Sequence, residues 1–258
     1  MSDRPVGVFD SGLGGASVLR EALIRLPFEN YVYYGDNGNV PYGDKSEYEI
    51  TKLAFECAYF LIGKGVKTML IACNTATSAA IRAIREKLDI PVVSMEPAIK
   101  PACSEPGDGK ILMMATAATT RLSRYQALKA RMPDPGRVID IPCPGLVDRI
   151  ETGVFEDDAF DDLLYRFLSP YHGQKIDSIV LGCTHYVFIK NAISRYAALH
   201  FEGKPRLVDG NAATVRQLER VLVSNGLNNS AGKASVDFFT SGDADRLRPL
   251  FFSLLNRA

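Results

Sequence analysis

Short, nearly continuous apolar runs alternate with longer amphipathic stretches along the chain, and this rhythm restricts the fold more than any other feature. Residues 5–9, 31–34, 67–72, 91–95, 110–115, 138–141, 176–182, 206–208 and 235–240 have the length and content of strands. Runs that are apolar on both faces suit parallel strands covered by helices on each side. Between them, residues 16–26, 47–63, 75–88, 121–131, 157–168, 191–199, 212–222 and 243–255 read as helices. The first of these places Ala16, Leu19, Leu23 and Leu26 on one face at three-to-four spacing. Strands and helices taking turns predict an α/β fold with mainly parallel sheets flanked by helices.

The chain also resembles itself. Thr68-Met-Leu-Ile-Ala-Cys73-Asn-Thr75 and Ser178-Ile-Val-Leu-Gly-Cys183-Thr-His185 share one plan: a strand, a small residue, a cysteine, then two polar residues that open a helix. At similar intervals upstream, one strand ends in Asp10-Ser11-Gly12 and another in Ala115-Thr116. The match reads as an internal duplication, with each half carrying a cysteine at a strand's C-terminal end. Ligands of open α/β sheets bind at that end. The turn-rich segment 103–109 (CSEPGDG) separates the halves.

Composition excludes several classes. Lys plus Arg equals Asp plus Glu at 30 each, so no overall field draws nucleic acid or an anionic membrane surface. A spanning helix needs about 20 consecutive apolar residues, and no such run occurs. Asp3, Arg4 and Asp10 leave no room for a signal-peptide core, so a cytoplasmic location is expected. None of the five cysteines pairs at zinc-ribbon or redox-motif spacing, so no metal is expected. Cys57, Cys103 and Cys143 read as packing residues.

Phe9-Asp-Ser-Gly-Leu-Gly-Gly15 lies between a strand and a helix. Its glycine amides could face an anion. Ser17 fills the third glycine position of the dinucleotide fingerprint, which argues against a nucleotide cofactor. Asp10 suits an ammonium, a proton carrier or a helix cap. Pro41-Tyr42-Gly43, in a loop after the second strand, could set backbone groups against a ligand. Asn74 and Thr75 offer amide and hydroxyl donors beside Cys73, and the helix start there predicts a lowered thiol pKa. His185 could share a proton with Cys183 or with a substrate. Two thiols facing each other across one small ligand would let a thiolate remove a proton from a carbon acid while the opposite thiol returns one to the other face. No cofactor is needed for that chemistry.

These residues resemble the glutamate racemases of the cofactor-independent amino-acid racemase superfamily. The matching runs are Val8-Phe-Asp-Ser-Gly-Leu-Gly-Gly15, Tyr34-Gly-Asp36, Val40-Pro-Tyr-Gly43, Ala72-Cys-Asn-Thr-Ala76, Glu96-Pro97, Thr116-Ala-Ala-Thr119, Gly182-Cys-Thr-His-Tyr186 and Phe238-Phe-Thr-Ser-Gly-Asp243. The resemblance implies two α/β domains of similar topology with the active site between them. Residues 1–97 plus 207–258 would form the first and 98–206 the second. It implies proton transfer by Cys73 and Cys183, assisted by Asp10 and His185, with Glu151 as an auxiliary acid. It further implies substrate binding by Asp10, Ser11, Pro41, Tyr42, Gly43, Asn74, Thr75, Thr116, Thr119, Thr184 and His185. The expected reaction interconverts L- and D-glutamate and supplies peptidoglycan synthesis. The expected partner is a small-molecule substrate, and a homodimer is allowed. Ala115, Leu122, Val187 and Asp209-Gly210 depart from the usual pattern without touching a proton carrier. Aspartate racemisation, and ligand binding without catalysis, remain as alternatives at this point.

Overall fold

The computed structural model describes residues 3–156 and 158–257. Its strands are β1 (Val6–Asp10), β2 (Tyr31–Gly35), β3 (Thr68–Ile71), β4 (Val92–Ser94), β5 (Lys110–Ala115), β6 (Val138–Pro142), β7 (Ile176–Leu181), β8 (Arg206–Val208) and β9 (Val236–Thr240). Its α-helices are α1 (Ala16–Arg25), α2 (Glu47–Gly63), α3 (Asn74–Lys87), α4 (Ile99–Cys103), α5 (Ala117–Arg121), α6 (Ser123–Ala130), α7 (Leu146–Glu151), α8 (Asp161–Leu168), α9 (Lys190–His200), α10 (Asn211–Ser224) and α11 (Ala244–Asn256). The strands form two wholly parallel sheets, ordered β4-β3-β1-β2-β9 and β6-β5-β7-β8. Among the described residues no helix is long and apolar enough to cross a membrane.

Alternation of side chains explains why the strands are apolar throughout. Val6, Val8, Tyr31, Tyr33 and Leu70 enter one core, and Phe9, Val32, Met69 and Ile71 enter another. In the second sheet Leu112, Met114, Ile179 and Leu181 pack on one face, and Ile111, Met113 and Val180 on the other. Both faces of both sheets are therefore covered, as the sequence rhythm predicts.

Read from its other edge, the second sheet runs β8-β7-β5-β6, which matches β4-β3-β1-β2 position for position. β3 leads into Cys73 and β7 into Cys183, while β1 leads into Ser11 and β5 into Thr116. The duplication read from the sequence is thus a duplication of strand order. β9 adds to β2 at the edge of the first sheet, and Phe251 packs between Tyr33 and Phe238, with centroids 4.4 and 4.5 Å away. These rings fasten the C-terminal strand and α11 to the N-terminal sheet.

Two helix boundaries differ from expectation. The helix expected over 121–131 is two short helices, because Leu122 turns extended and buries its side chain. The helix expected over 157–168 begins at Asp161, and residue 157 lies outside the described residues. β8, which spans the domain boundary expected at 206/207, pairs with β7 in the second sheet.

Candidate active site

The C-terminal ends of β1, β3, β5 and β7 converge on one cleft between the sheets, walled by Ser11, Val40, Pro41, Tyr42, Gly43, Cys73, Asn74, Thr75, Thr116, Val147, Cys183, Thr184 and His185. Asp10, Thr119 and Glu151 stand behind that wall. Each is hydrogen-bonded to a residue of it: Asp10 to Thr184, Thr119 to Thr75, Glu151 to His185. The structure therefore gathers every residue expected at the site, Asp10, Thr119 and Glu151 in a supporting layer. The cleft as it stands is nearly closed.

On one wall, Cys73 caps α3. Its Sγ accepts the Ala76 amide at 3.4 Å and lies 3.3 Å from Ser11 Oγ. The helix end was expected to lower this thiol's pKa. Burial and the nearby Asp10 carboxylate instead push it up to about 12, more than the Ser11 and Ala76 contacts pull it down. Desolvation of a thiolate outweighs two donors when the sulfur is sealed from water. Asp10 takes the Gly12 amide on Oδ1 and the Thr184 hydroxyl on Oδ2, each at 3.0 Å. Burial still raises its pKa against the pull of His185 and these bonds.

On the opposite wall, Cys183 Sγ lies 3.7 Å from His185 Nδ1. His185 Nε2 lies 2.8 Å from Glu151 Oε1. Burial pulls the His185 pKa down, but Cys183 and Glu151 push it well above the ordinary value. Burial pushes Glu151 up, and the bonds to His185, Leu13 and Asn37 bring it below the ordinary carboxylate value. The two directions agree on an imidazolium that donates Nε2–H to a carboxylate. The Gly14 amide, 3.1 Å from the same nitrogen, could be accepted only by a deprotonated Nε2. Sequence reasoning offered an external anion as one occupant of the glycine-rich loop. Its Gly12 and Leu13 amides are in fact engaged by the protein's own Asp10 and Glu151.

Small residues allow the two walls to meet. A Cβ on Gly14 would collide with His185 Nδ1, and one on Gly43 would lie 2.8 Å from Thr116 Cβ. Across the seam, the Thr75, Thr116 and Thr119 hydroxyls form a triangle with sides of 2.9, 3.0 and 2.9 Å. Asn74 Oδ1 is buried without a partner. Tyr42 lines the cleft while its hydroxyl donates to Asp36 Oδ2 at 2.6 Å. Val40 and Val147 supply apolar wall that sequence reasoning did not single out. Asn37 was also missed; its Nδ2 donates to Glu151 Oε2 at 2.8 Å. Its only local signal was the turn-rich run after Asp36.

Comparison with known proteins agrees with this geometry. A glutamate racemase of Clostridium perfringens is 43% identical over 257 residues, covering 99% of this chain and 97% of the relative. The crystal structure of Francisella tularensis glutamate racemase with D-glutamate superposes with a TM-score of 0.84 at 30% identity, covering 99% of this chain and 94% of that one. Escherichia coli glutamate racemase, solved with L-glutamate and the activator UDP-MurNAc-ala, gives 0.82 at 31% identity, covering 97% and 95%. The family model for Asp/Glu/hydantoin racemases matches residues 21–218. Two equivalent sheets, each with a cysteine at one of its cleft-facing strand ends, together with these matches, place the chain in the Asp/Glu/hydantoin racemase family, a family of isomerases.

Proposed function

We propose that the protein is a glutamate racemase that moves the α-proton between two thiols and needs no cofactor. The observation that carries this reading is the placement of Cys73 and Cys183 on opposite walls of one cleft, at the ends of topologically equivalent strands. Full-length similarity to glutamate racemases favours glutamate over aspartate. The two units are residues 1–97 with 209–258, and residues 98–208.

One thiolate takes the α-proton and the opposite thiol delivers another to the far face of the planar carbanion. Negative charge then builds on the α-carboxylate, where Ser11, Asn74, Thr75, Thr116 and Thr184 supply donors. The threonine hydroxyls are suited to that task, and the unpartnered Asn74 Oδ1, an acceptor, is suited to the substrate ammonium. A substrate ammonium beside Asp10 and Cys73 would counter the burial that holds both pKa values up. The closed cleft is narrower than glutamate, so the walls part for entry and close for reaction, excluding water. The D-glutamate formed in the cytoplasm would serve peptidoglycan synthesis.

Optical rotation of L-glutamate mixed with pure protein should decay to zero, and exhaustive EDTA treatment should leave the rate unchanged. No decay, faster decay with L-aspartate, or activity that EDTA removes and a metal restores would overturn the proposal.

A further inference from the structure

The C-terminal run Phe238-Phe-Thr-Ser-Gly-Asp243 has no place on the cleft wall, yet two of its hydroxyls reach the site, Ser241 through Asp36 to Tyr42 and Thr240 through Asn37 to Glu151. β9 pairs with β2 so that Thr240 lies opposite Gly35, beside the loop that carries Asn37. The Thr240 hydroxyl accepts the Gly242 amide at 3.0 Å. Its own proton is thereby free to donate to Asn37 Oδ1, at 2.9 Å. This fixes the orientation of the Asn37 amide. Turned the other way, Asn37 would set its oxygen against the Glu151 carboxylate. As oriented, Nδ2 donates to Glu151 Oε2 at 2.8 Å, while Oε1 takes the Leu13 amide at 2.7 Å and His185 Nε2 at 2.8 Å. Glu151 needs such help. It ends a six-residue helix with no side-chain cap, and its carboxylate crosses from the second-sheet half to the first.

We infer that Asn37, locked by Thr240, is a positioning residue for the Cys183 half of the reaction: it holds the Glu151 carboxylate where His185 can keep its proton facing that thiol. The inference rests on the two-thiol racemase reading above. Asn37 has no corresponding link to Cys73, whose partners are Ser11 and the α3 amide. Its loss should therefore be one-sided.

Racemisation itself cannot display that asymmetry. L- and D-glutamate are equal in free energy, so kcat/KM must stay equal in the two directions in every variant. Elimination can display it. From β-chloroglutamate a thiolate removes the α-proton, the C–H electrons form the Cα–Cβ double bond and chloride leaves. The enamine hydrolyses to 2-oxoglutarate and ammonia. Each enantiomer needs only the base on its own side, which the resemblance to glutamate racemases implies is Cys183 for L and Cys73 for D.

The experiment measures 2-oxoglutarate release from both enantiomers, across pH, for wild type and for Asn37→Ala, Thr240→Val and Thr240→Ser. A hydrogen bond to a buried charge is worth enough that Asn37→Ala should slow the L-enantiomer about tenfold and the D-enantiomer less than about twofold. Thr240→Val should shift the ratio in the same sense by about threefold, and Thr240→Ser should restore it. The alkaline limb of the L-profile should move to lower pH in Asn37→Ala, because a poorly held carboxylate retains the imidazole proton less well. A variant that merely folds less well loses both enantiomers in proportion, so the ratio is immune to that fault. Equal losses, or no loss, with an active wild type would overturn the inference alone. A wild type that does not racemise glutamate would remove the parent reading and the inference with it.

Discussion

Cys73 and Cys183 occupy equivalent strand ends and are supported in different ways. Cys73 sits directly on a 14-residue helix, and its contacts are a serine hydroxyl and a backbone amide. Cys183 precedes a 3-10 turn, Thr184–Ile189, before α9 begins, and its partner is an imidazole. Behind Cys73 is a buried carboxyl, Asp10, whose charge pushes the thiol up. Behind Cys183 a carboxylate and an imidazole of the same half form an ion pair, and the carboxylate reaches across the seam to the Leu13 amide. One fold has thus been used twice with two kinds of proton management. The duplicated strands place the sulfurs, and the unduplicated loops decide what surrounds each one.

The sharpest way to break the comparison is to remove each thiol in turn. Cys73→Ser and Cys183→Ser should each lower racemisation by about 10⁴-fold, since a serine hydroxyl is a far poorer base. Each should still eliminate chloride from the one β-chloroglutamate enantiomer served by the remaining thiol. Opposite enantiomer preferences in the two mutants are the expected result. The same preference in both, or near wild-type racemisation in either, would refute the two-thiol assignment.

The next effect concerns Cys73 without substrate. A thiol moved from the ordinary value to about 12 holds roughly 10³-fold less thiolate at pH 8. Deprotonation rises with pH, so alkylation of the Cys73 peptide by iodoacetamide should keep accelerating past pH 10. A plateau near pH 9, read by peptide mass spectrometry, would show that burial does not dominate there. Joining the walls comes next. Gly14→Ala drives a methyl toward His185 and Thr184, and misplacing a catalytic group by about 1 Å costs about 10²-fold in kcat/KM. Activity within threefold of wild type would mean that the loop and the His185 turn do not have to meet.

Local pattern made part of this legible, and distance hid the rest. The parallel strands could be read because both faces are buried, and the two cysteine strands could be matched because the same neighbours recur. α7 escaped notice because its six residues lie between Gly145 and Gly153, which read as turn signals. Glu151 was therefore placed only by resemblance. Asn37 and Thr240 stand 203 residues apart, and no window of sequence contains both. The Cys73 pKa was misjudged because a helix end is visible in sequence and the exclusion of water is not.

The smallest expected effect tests whether the hydroxyl triangle belongs to the substrate or to the fold. Thr75 comes from the first-sheet half and Thr116 and Thr119 from the second, so the triangle is a seam that both halves build. Each hydroxyl has one proton to give and can accept two. In Thr75→Val the Thr116–Thr119 bond at 2.9 Å survives and two bonds to Thr75 are lost. Stability should fall by only about 1 kcal/mol, because the freed hydroxyls can still bond one another. If Thr75 also holds the substrate carboxylate in ground and transition states alike, KM should rise severalfold while kcat changes little. Thr119→Val, one layer further back, should cost similar stability and leave KM nearly unchanged. Denaturant melts and steady-state kinetics on the pair separate the roles. Equal KM changes in both variants would make the triangle a structural joint and would move carboxylate recognition to Ser11, Asn74 and Thr184.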